Sequence, residues 1–477
     1  RFPYWLYAGQ QDNSTIAVPS DLPEENSASG HTGYWKAVGG CETGPAVPKP
    51  GNPNIVYSNC KGRFGRFSQI TGQEKQYYVG FGNLYGANPK DLPYRFQRVA
   101  PIEISPHNAD VVYHGSQFVH KTTDEGVTWE QISPDLTAFR PERQVVSGEP
   151  ISRDITGEEH YSVLYAIEES PVEPGVIWSG SNDGLVQVTR DGGMTWKNVT
   201  PPDMAPEGRI QTIDPSPHEG GRAYFAAYRT LLGDFTPFIY KTEDYGDTWT
   251  LLTPGDNGIP IDHPTRVIRE DPEVKGLLFA GTEFGMFYSM DDGVSWSSFQ
   301  MNLPATPITD IKIHNSDLVL STMGRGFWVM DDISPLRQID TALAAAESYF
   351  FNPSDAVRNR GQGGRGVPAP HVPEWSQQGA VFDYLLHTTA REVELEIRDA
   401  EGMILRTFSS DDSGGRVQMG QGMRAPFQRT IGTVGLGRRS GVNRFVWDLR
   451  VLGPNGSTSG GPMVVPGVYE AHLRIDG

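Results

Sequence analysis

Thr122-Thr123-Asp124-Glu125-Gly126-Val127-Thr128-Trp129 decides how this chain folds, because the phrase returns three more times. It recurs as Thr189-Arg190-Asp191-Gly192-Gly193-Met194-Thr195-Trp196, as Thr242-Glu243-Asp244-Tyr245-Gly246-Asp247-Thr248-Trp249 and as Ser289-Met290-Asp291-Asp292-Gly293-Val294-Ser295-Trp296. The Asp-to-Asp intervals are 67 (191 − 124), 53 (244 − 191) and 47 (291 − 244) residues. A unit of this size, rich in strand-like runs, implies a propeller or array rather than one continuous sheet. The glycine can take a positive φ, the aspartate can accept nearby backbone N–H groups, and the hydroxyl adds a local bond. The tryptophan is expected to pack under its own turn. Asp124, Trp129, Asp191, Trp196, Asp244, Trp249, Asp291 and Trp296 are therefore read as hairpin fasteners, not as catalytic groups.

Around each phrase lies a common template: an apolar strand, a proline-containing turn, a second apolar strand ending in small residues, and a strand feeding the phrase. Ile102-Glu103-Ile104-Ser105-Pro106 with Val111-Val112-Tyr113-His114-Gly115 shows it, as does Val267-Ile268-Arg269-Glu270-Asp271-Pro272 with Leu277-Leu278-Phe279-Ala280-Gly281. The skeleton recurs without the phrase at 308–330, and in degenerate form from Trp5 and from Ile55. This predicts an all-β fold: about seven propeller blades over 1–335, with the N-terminal segment pairing with the last blade to close the ring. Irregular stretches at 21–53, 80–98 and 134–159 are expected to decorate one face. Residues 336–372 read as a linker with a short helix at 336–347. Val393-Glu394-Leu395-Glu396-Ile397 alternates strictly, so 373–477 is expected to be a small β-sandwich, cut off at its end and serving for packing or spacing.

Composition narrows the partners. Forty Lys and Arg against 58 Asp and Glu give a formal charge of −18, which argues against nucleic acid and anionic membranes. No apolar run reaches the eighteen or so residues that span a bilayer. Opening on Arg1-Phe2-Pro3-Tyr4-Trp5 suggests a mature or truncated product. The only cysteines, Cys41 and Cys60, allow a disulfide in an exported protein or two reduced thiols.

The repeated phrase resembles the Asp-box (BNR) repeat of sialidase-like and Vps10/sortilin-like propellers. The run Asp317-Leu318-Val319-Leu320-Ser321-Thr322-Met323-Gly324-Arg325-Gly326-Phe327-Trp328-Val329-Met330-Asp331-Asp332, with Gly281–Phe287, resembles a family of exported bacterial BNR-repeat proteins labelled sortilin/Vps10-like or glycosyl hydrolase-like. The C-terminal region is similar to an immunoglobulin-like, flagellar hook cap-like sandwich. The resemblance implies a secreted, periplasmic or cell-surface location, a second propeller preceding this one or a second chain packing against it, Asp-boxes on the rim, and a ligand site on the opposite face.

Mapping the template onto that face collects Gln11, Asp12, Asn13, Arg63, Arg66, Gln117, Asn182, Asp183, Arg229, Glu283 and Arg325 from the turns between second and third strands. The entries to the innermost strands add Arg153, Asp154, Glu158, Glu159, His160, Arg209 and Arg266. Arginines in this pattern can hold an acidic sugar or a peptide terminus by bidentate pairing. Three readings follow. The first is a module binding a glycan, peptide or protein at the mouth through Asp12, Asn13, Arg66, Asn182, Arg209, Arg229, Arg266 and Arg325. The second is a glycoside hydrolase with Glu158, Asp183 and Glu283 as its acids, which requires two carboxylates at a set separation. The third is a structural component of a surface assembly, with the charges paired among themselves. No metal-ligand spacing or cofactor motif is present, so no cofactor is expected.

Overall fold

The computed structural model describes residues 4–21, 35–80, 87–146, 148, 151, 160–339, 343, 346–358, 378–411, 435–456 and 461–477. The described residues up to Met330 form one compact unit, and those from Asp331 onward a second. Both are built almost wholly of small antiparallel sheets.

The first unit is a run of such sheets in chain order, each a meander. The first comprises Trp5–Gly9, Thr15–Pro19 and Lys36–Ala37. The second comprises Ala46–Pro48, Ile55–Cys60, Arg63–Ser68 and Gln73–Tyr78, and the third Ile102–Ile104, Val112–Gly115, Val119–Thr122 and Glu130–Gln131. The fourth runs through Leu164–Glu169, Ile177–Ser181, Val186–Thr189 and Lys197–Asn198. The fifth has Arg209–Pro215, Ala223–Tyr228, Phe238–Thr242 and Thr250–Leu251. The sixth has Thr265–Glu270, Leu278–Thr282, Met286–Ser289 and Ser297–Ser298. The last has three strands, Ile308–His314, Asp317–Thr322 and Phe327–Met330.

From the third sheet to the last, the first strands of successive sheets pack on one another, while the fourth strands meet chiefly their own third strands. First strands are thus innermost, fourth strands outermost, and the unit is a β-propeller. The second strands Val112–Gly115, Ile177–Ser181 and Leu278–Thr282 are buried throughout. Sheet faces covered on both sides explain why these strands read as continuous apolar and small residues.

The repeated phrase forms the turn between third and fourth strands in the third to sixth sheets. Asp124 accepts the Thr128 N–H (2.9 Å), the Thr128 hydroxyl (2.7 Å) and the Thr122 hydroxyl (2.8 Å). Asp191, Asp244 and Asp291 repeat the same bonds. The tryptophan departs from expectation. Rather than lying under its own turn, it reaches the preceding sheet: the Trp196, Trp249 and Trp296 indoles donate to the carbonyls of Ile132 (2.9 Å), Val199 (2.6 Å) and Leu252 (2.9 Å). Trp129 meets Phe64 of the second sheet edge-on at 5.1 Å. The glycine serves both ends of this contact. At φ +84 Gly246 completes the turn, and a Cβ there would come within 2.6 Å of Val199 in the neighbouring sheet.

The N-terminal strand does not complete the last sheet as expected. Among the described residues, Trp5–Gly9 pairs only with Thr15–Pro19. Tyr4 makes the connection instead: its hydroxyl donates to Asp317 (2.7 Å), and its ring meets His314 edge-on at 4.8 Å. Cys41 and Cys60 form a disulfide between the loop after the first sheet and the second strand of the next.

The second unit begins with a single helical turn, Ser334–Arg337. Two three-stranded sheets follow, Ser348–Phe350 with Ala380–Leu386 and Gly441–Trp447, and Ile404–Ser409 with Val393–Arg398 and Glu470–Ile475. Their apolar faces share one core around Tyr384, Leu395, Ile397, Phe445 and Trp447.

Candidate functional site

One irregularity positions the site. The innermost strands of the fourth to last sheets each skip register once, between Leu164 and Ala166, Ile210 and Thr212, Thr265 and Val267, and Ile308 and Asp310. The unpaired residues are Tyr165, Gln211, Arg266 and Thr309. A bulge adds one residue to the strand and re-aims its side chain. Each bulged residue is followed three positions later by a charged one: Glu168, Asp214, Arg269 and Lys312. Normal pleating would turn residues three apart to opposite faces, and the extra residue undoes that alternation.

Three of the bulged residues, Tyr165, Gln211 and Arg266, join a half-buried cluster at the mouth, while the Thr309 hydroxyl lies 2.7 Å from that of Ser321. Arg209 donates to the Tyr165 hydroxyl (3.0 Å) and the Gln211 side chain (3.4 Å), with its guanidinium 4.4 Å over the Tyr165 ring and 6.0 Å from that of Tyr228. Arg266 pairs closely with Glu283, donates to the Tyr228 hydroxyl (3.0 Å) and lies 4.5 Å over that ring. Tyr228 donates in turn to Glu283 (2.7 Å), and burial raises its hydroxyl above the usual range. Arg266 thus has a carboxylate partner. Arg209 has none among the described residues, although its charge is stacked on aromatic faces that favour a cation.

Deeper in, the first strands of five sheets bring Glu103, Glu168, Asp214, Arg269, Asp310 and Lys312 into one electrostatic group. Arg269 donates to Asp310 (2.8 Å), Asp214 (3.5 Å) and the Ile311 carbonyl (3.0 Å). Burial pushes the Asp214 carboxyl up to about 6 against the pull of Arg269. It also raises Glu103 well above the usual carboxylate range, helped by the neighbouring charge of Glu168. Glu168 is raised by burial too, with Lys312 and Arg269 opposing. Burial would release the Arg269 proton, but Asp310, Asp214 and Glu168 hold it more tightly than usual. Lys312 is exposed to solvent, and against the repulsion of Arg269 its proton is held more tightly than usual by Asp310, Glu168 and Glu103.

The structure distributes the sequence-derived residues widely. It brings Arg209, Arg266 and Glu283 together. Asp183 is buried and accepts the Ser181 hydroxyl (2.5 Å) and the Ala138 N–H (3.0 Å). Asn182 clamps the chain between the His160 carbonyl (3.0 Å) and the Val163 N–H (3.1 Å). Arg229 pairs with Asp234 (2.9 Å) and donates to the carbonyls of Ala205, Pro206 and Glu207, fastening a loop. Arg66 ties to Glu125 inside the next sheet's Asp124 turn, on the outer side of the blades, so it does not join the mouth cluster. Asp12 and Asn13 are exposed in a hairpin turn, where the Asp12 N–H donates to Glu42 (2.8 Å). Arg325 is exposed at the tip of the last sheet's second hairpin. His160 is buried, its Nδ1 2.7 Å from the Phe96 carbonyl. Arg153, Asp154, Glu158 and Glu159 lie outside the described residues. Sequence reasoning missed Tyr165, Gln211, Tyr228 and the channel charges. Among the described residues, no group of three or more His, Cys, Asp or Glu is placed to hold a metal ion. Among the described residues, no helix is long and apolar enough to cross a membrane.

Fold and site together define a β-propeller with a charged channel and an arginine–tyrosine mouth. No family model matches the chain, and no curated protein matches it. Among solved structures it is similar to a GH74 xyloglucanase from Xanthomonas campestris, at 13% identity and a TM-score of 0.46, over 69% of this chain and 50% of that one. A GH74 enzyme from Niastella koreensis gives 14% identity and 0.43, over 69% and 49%. YCF48 from Cyanidioschyzon merolae gives 12% and 0.38, over 65% and 88%. The chain spans about half the length of the two GH74 proteins. Likenesses this distant say nothing about which ligand or reaction belongs to this chain.

Proposed function

We propose that the chain is an exported, Asp-box type seven-bladed β-propeller that binds an anionic ligand at its mouth, followed by an immunoglobulin-like sandwich that spaces or packs it. Among the described residues there are nine sheets, two of them beyond Asp331, and the other seven support a seven-membered ring. The contact of Tyr4 with Asp317 and His314 supports closure between first and last. The Cys41–Cys60 bond supports an oxidising compartment.

The observation that carries the binding reading is Arg209. It is half-buried, its guanidinium lies over the Tyr165 ring, and it is without a carboxylate partner among the described residues. A guanidinium in that setting gains most from a planar anion presenting two oxygens, such as the carboxylate of an acidic glycan or a peptide terminus. The rings of Tyr165 and Tyr228 would flank it. Hydrolysis has less support: Glu283 is paired with Arg266, and Asp183 is buried and satisfied by two donors. A glycan and peptide array probed with the protein tests the reading. Retention of carboxylate-bearing ligands, lost in Arg209→Ala and kept in Arg325→Ala, is expected. An array without binding, or binding indifferent to Arg209→Ala, would sink it.

A further inference from the structure

The last propeller sheet is incomplete in a way the four sheets before it explain. In those, the chain leaves the third strand, makes the aspartate turn, drives a tryptophan against the preceding sheet and adds a two-residue fourth strand. In the last sheet the same turn starts. Asp331-Asp332 stands 40 residues after Asp291-Asp292 (331 − 291), and Asp332 at φ 57 matches Asp292 at φ 61. Then Ile333 stands where Gly293 was, and Leu336 where Trp296 was. A Cβ at Gly293 would come within 2.7 Å of Leu252, so losing the glycine removes the close approach. The chain enters a helical turn instead, and among the described residues Phe327–Met330 is an edge strand.

Between the sixth and last sheets lies a shallow open hollow, lined among others by Met286, Phe299, Leu303, Leu318, Leu320 and Trp328. It occupies the position that Trp296 fills one sheet earlier. Phe299 follows its fourth strand and donates its N–H to Met286, as Leu252 does to Ile239 and Val199 to Val186. The carbonyls of Val199 and Leu252 each take an indole N–H, whereas among the described residues no indole reaches that of Phe299. All four residues of Phe327–Met330 are partly exposed, while Val186–Thr189 is wholly buried.

We infer that this edge and pocket take an extended segment of another protein, which adds a short fourth strand and seats a tryptophan-sized aromatic side chain against Phe299. The four complete sheets name the occupant's chemistry: an aromatic anchor followed by two or three extended residues. Backbone pairing supplies the affinity of such strand addition and the pocket its specificity. An unpaired edge over an apolar hollow is otherwise a liability that folds remove.

The test is a synthetic peptide with the sequence of residues 292–299, Asp292-Gly293-Val294-Ser295-Trp296-Ser297-Ser298-Phe299, titrated into the intact chain. Saturable binding is expected, with amide exchange slowed at residues 327–330. Trp296→Ala in the peptide should weaken binding ~30-fold or more, as removal of a central aromatic anchor does. Because that change leaves the protein untouched, misfolding cannot mimic it. A second arm, Leu320→Arg in the protein, should abolish binding while the thermal melt stays cooperative. No binding, binding equal for the alanine peptide, or protection away from 327–330 would overturn the inference. So would a concentration-dependent dimer that protects the same amides without peptide, since the edge would then belong to a second copy.

Discussion

Asp191, in the outer turn of the fourth sheet, has its carboxyl held down to about 2 by the Thr195 hydroxyl and N–H and the Thr189 hydroxyl. Asp214, on the innermost strand of the next sheet, is pushed up to about 6 by burial, which Arg269 and the Glu270 N–H only partly offset. The two aspartates are 23 positions apart in sequence (214 − 191), and their environments act in opposite directions. At the rim every donor lies within four residues and water is plentiful, so the charged form is favoured. In the channel, desolvation acts first, and the opposing charges arrive from strands far away in the chain. Local sequence therefore carries the rim chemistry, and only assembly of the ring produces the channel chemistry.

The largest effect should come from breaking the link between a rim turn and the sheet beside it. Gly193 sits at φ +103, and a Cβ there would fall 2.6 Å from the Ile132 carbonyl oxygen. Gly193→Val combines backbone strain with a clash against backbone, and is expected to cost about 3 kcal/mol or more in chemical denaturation. A cost under 1 kcal/mol would mean the sheets do not depend on this contact. Next comes the carboxylate. Asp244→Ala strips acceptors from the Thr248 N–H, the Thr248 hydroxyl and the Thr242 hydroxyl. It should destabilise by about 2 kcal/mol at pH 7, read from the shift in urea midpoint.

The same contrast explains which features are legible in the sequence. Four copies of one phrase placed the outer turns, because the bonds that make them span five to seven residues. The direction of Trp196 or Trp249 was not legible, since its acceptor lies 64 or 50 residues back. At the mouth, Arg66 and Arg209 look alike in sequence, yet one joins Glu125 in an outer turn and the other stacks on Tyr165. The bulges hid the rest. Tyr165 with Glu168, Gln211 with Asp214, Arg266 with Arg269 and Thr309 with Lys312 are spaced by three, which a period-two reading sends to opposite faces. Stacking these four strands on their shared isoleucines, Ile167, Ile213, Ile268 and Ile311, aligns both polar columns. That alignment was the available signal.

Changing pH should separate rim from channel with a moderate effect. Asp191 has a depressed pKa, so its contribution is present above the unfolded value of roughly 4 and is lost as pH falls toward about 2. Asp214 has a raised pKa, so its contribution is present below roughly 4 and is lost as pH rises through about 6. Between these limits the channel should make stability fall with rising pH. Asp214→Asn should flatten that slope, with a difference on the order of 1 kcal/mol between pH 4.5 and 7 after allowing for water in the channel. A slope unchanged in the variant would show that Asp214 is ionised throughout.

The smallest effect is the sharpest test of the comparison. Burial raises Glu103 and Glu168 together, and the neighbouring charge of Glu168 adds to the rise at Glu103, so the pair favours holding a proton. A glutamine at 103 keeps the shape and still offers a donor to Glu168. Glu103→Gln should therefore change stability at pH 7 by no more than about 0.5 kcal/mol, in either direction. The chemically identical loss of charge at the rim, Asp244→Asn, should cost more, because that carboxylate works ionised and accepts three donors. Both variants can be measured in one urea series at pH 7. Equal costs would mean that the Glu103–Glu168 pair is fully ionised, and the proposed difference between rim and channel would then fail at its centre.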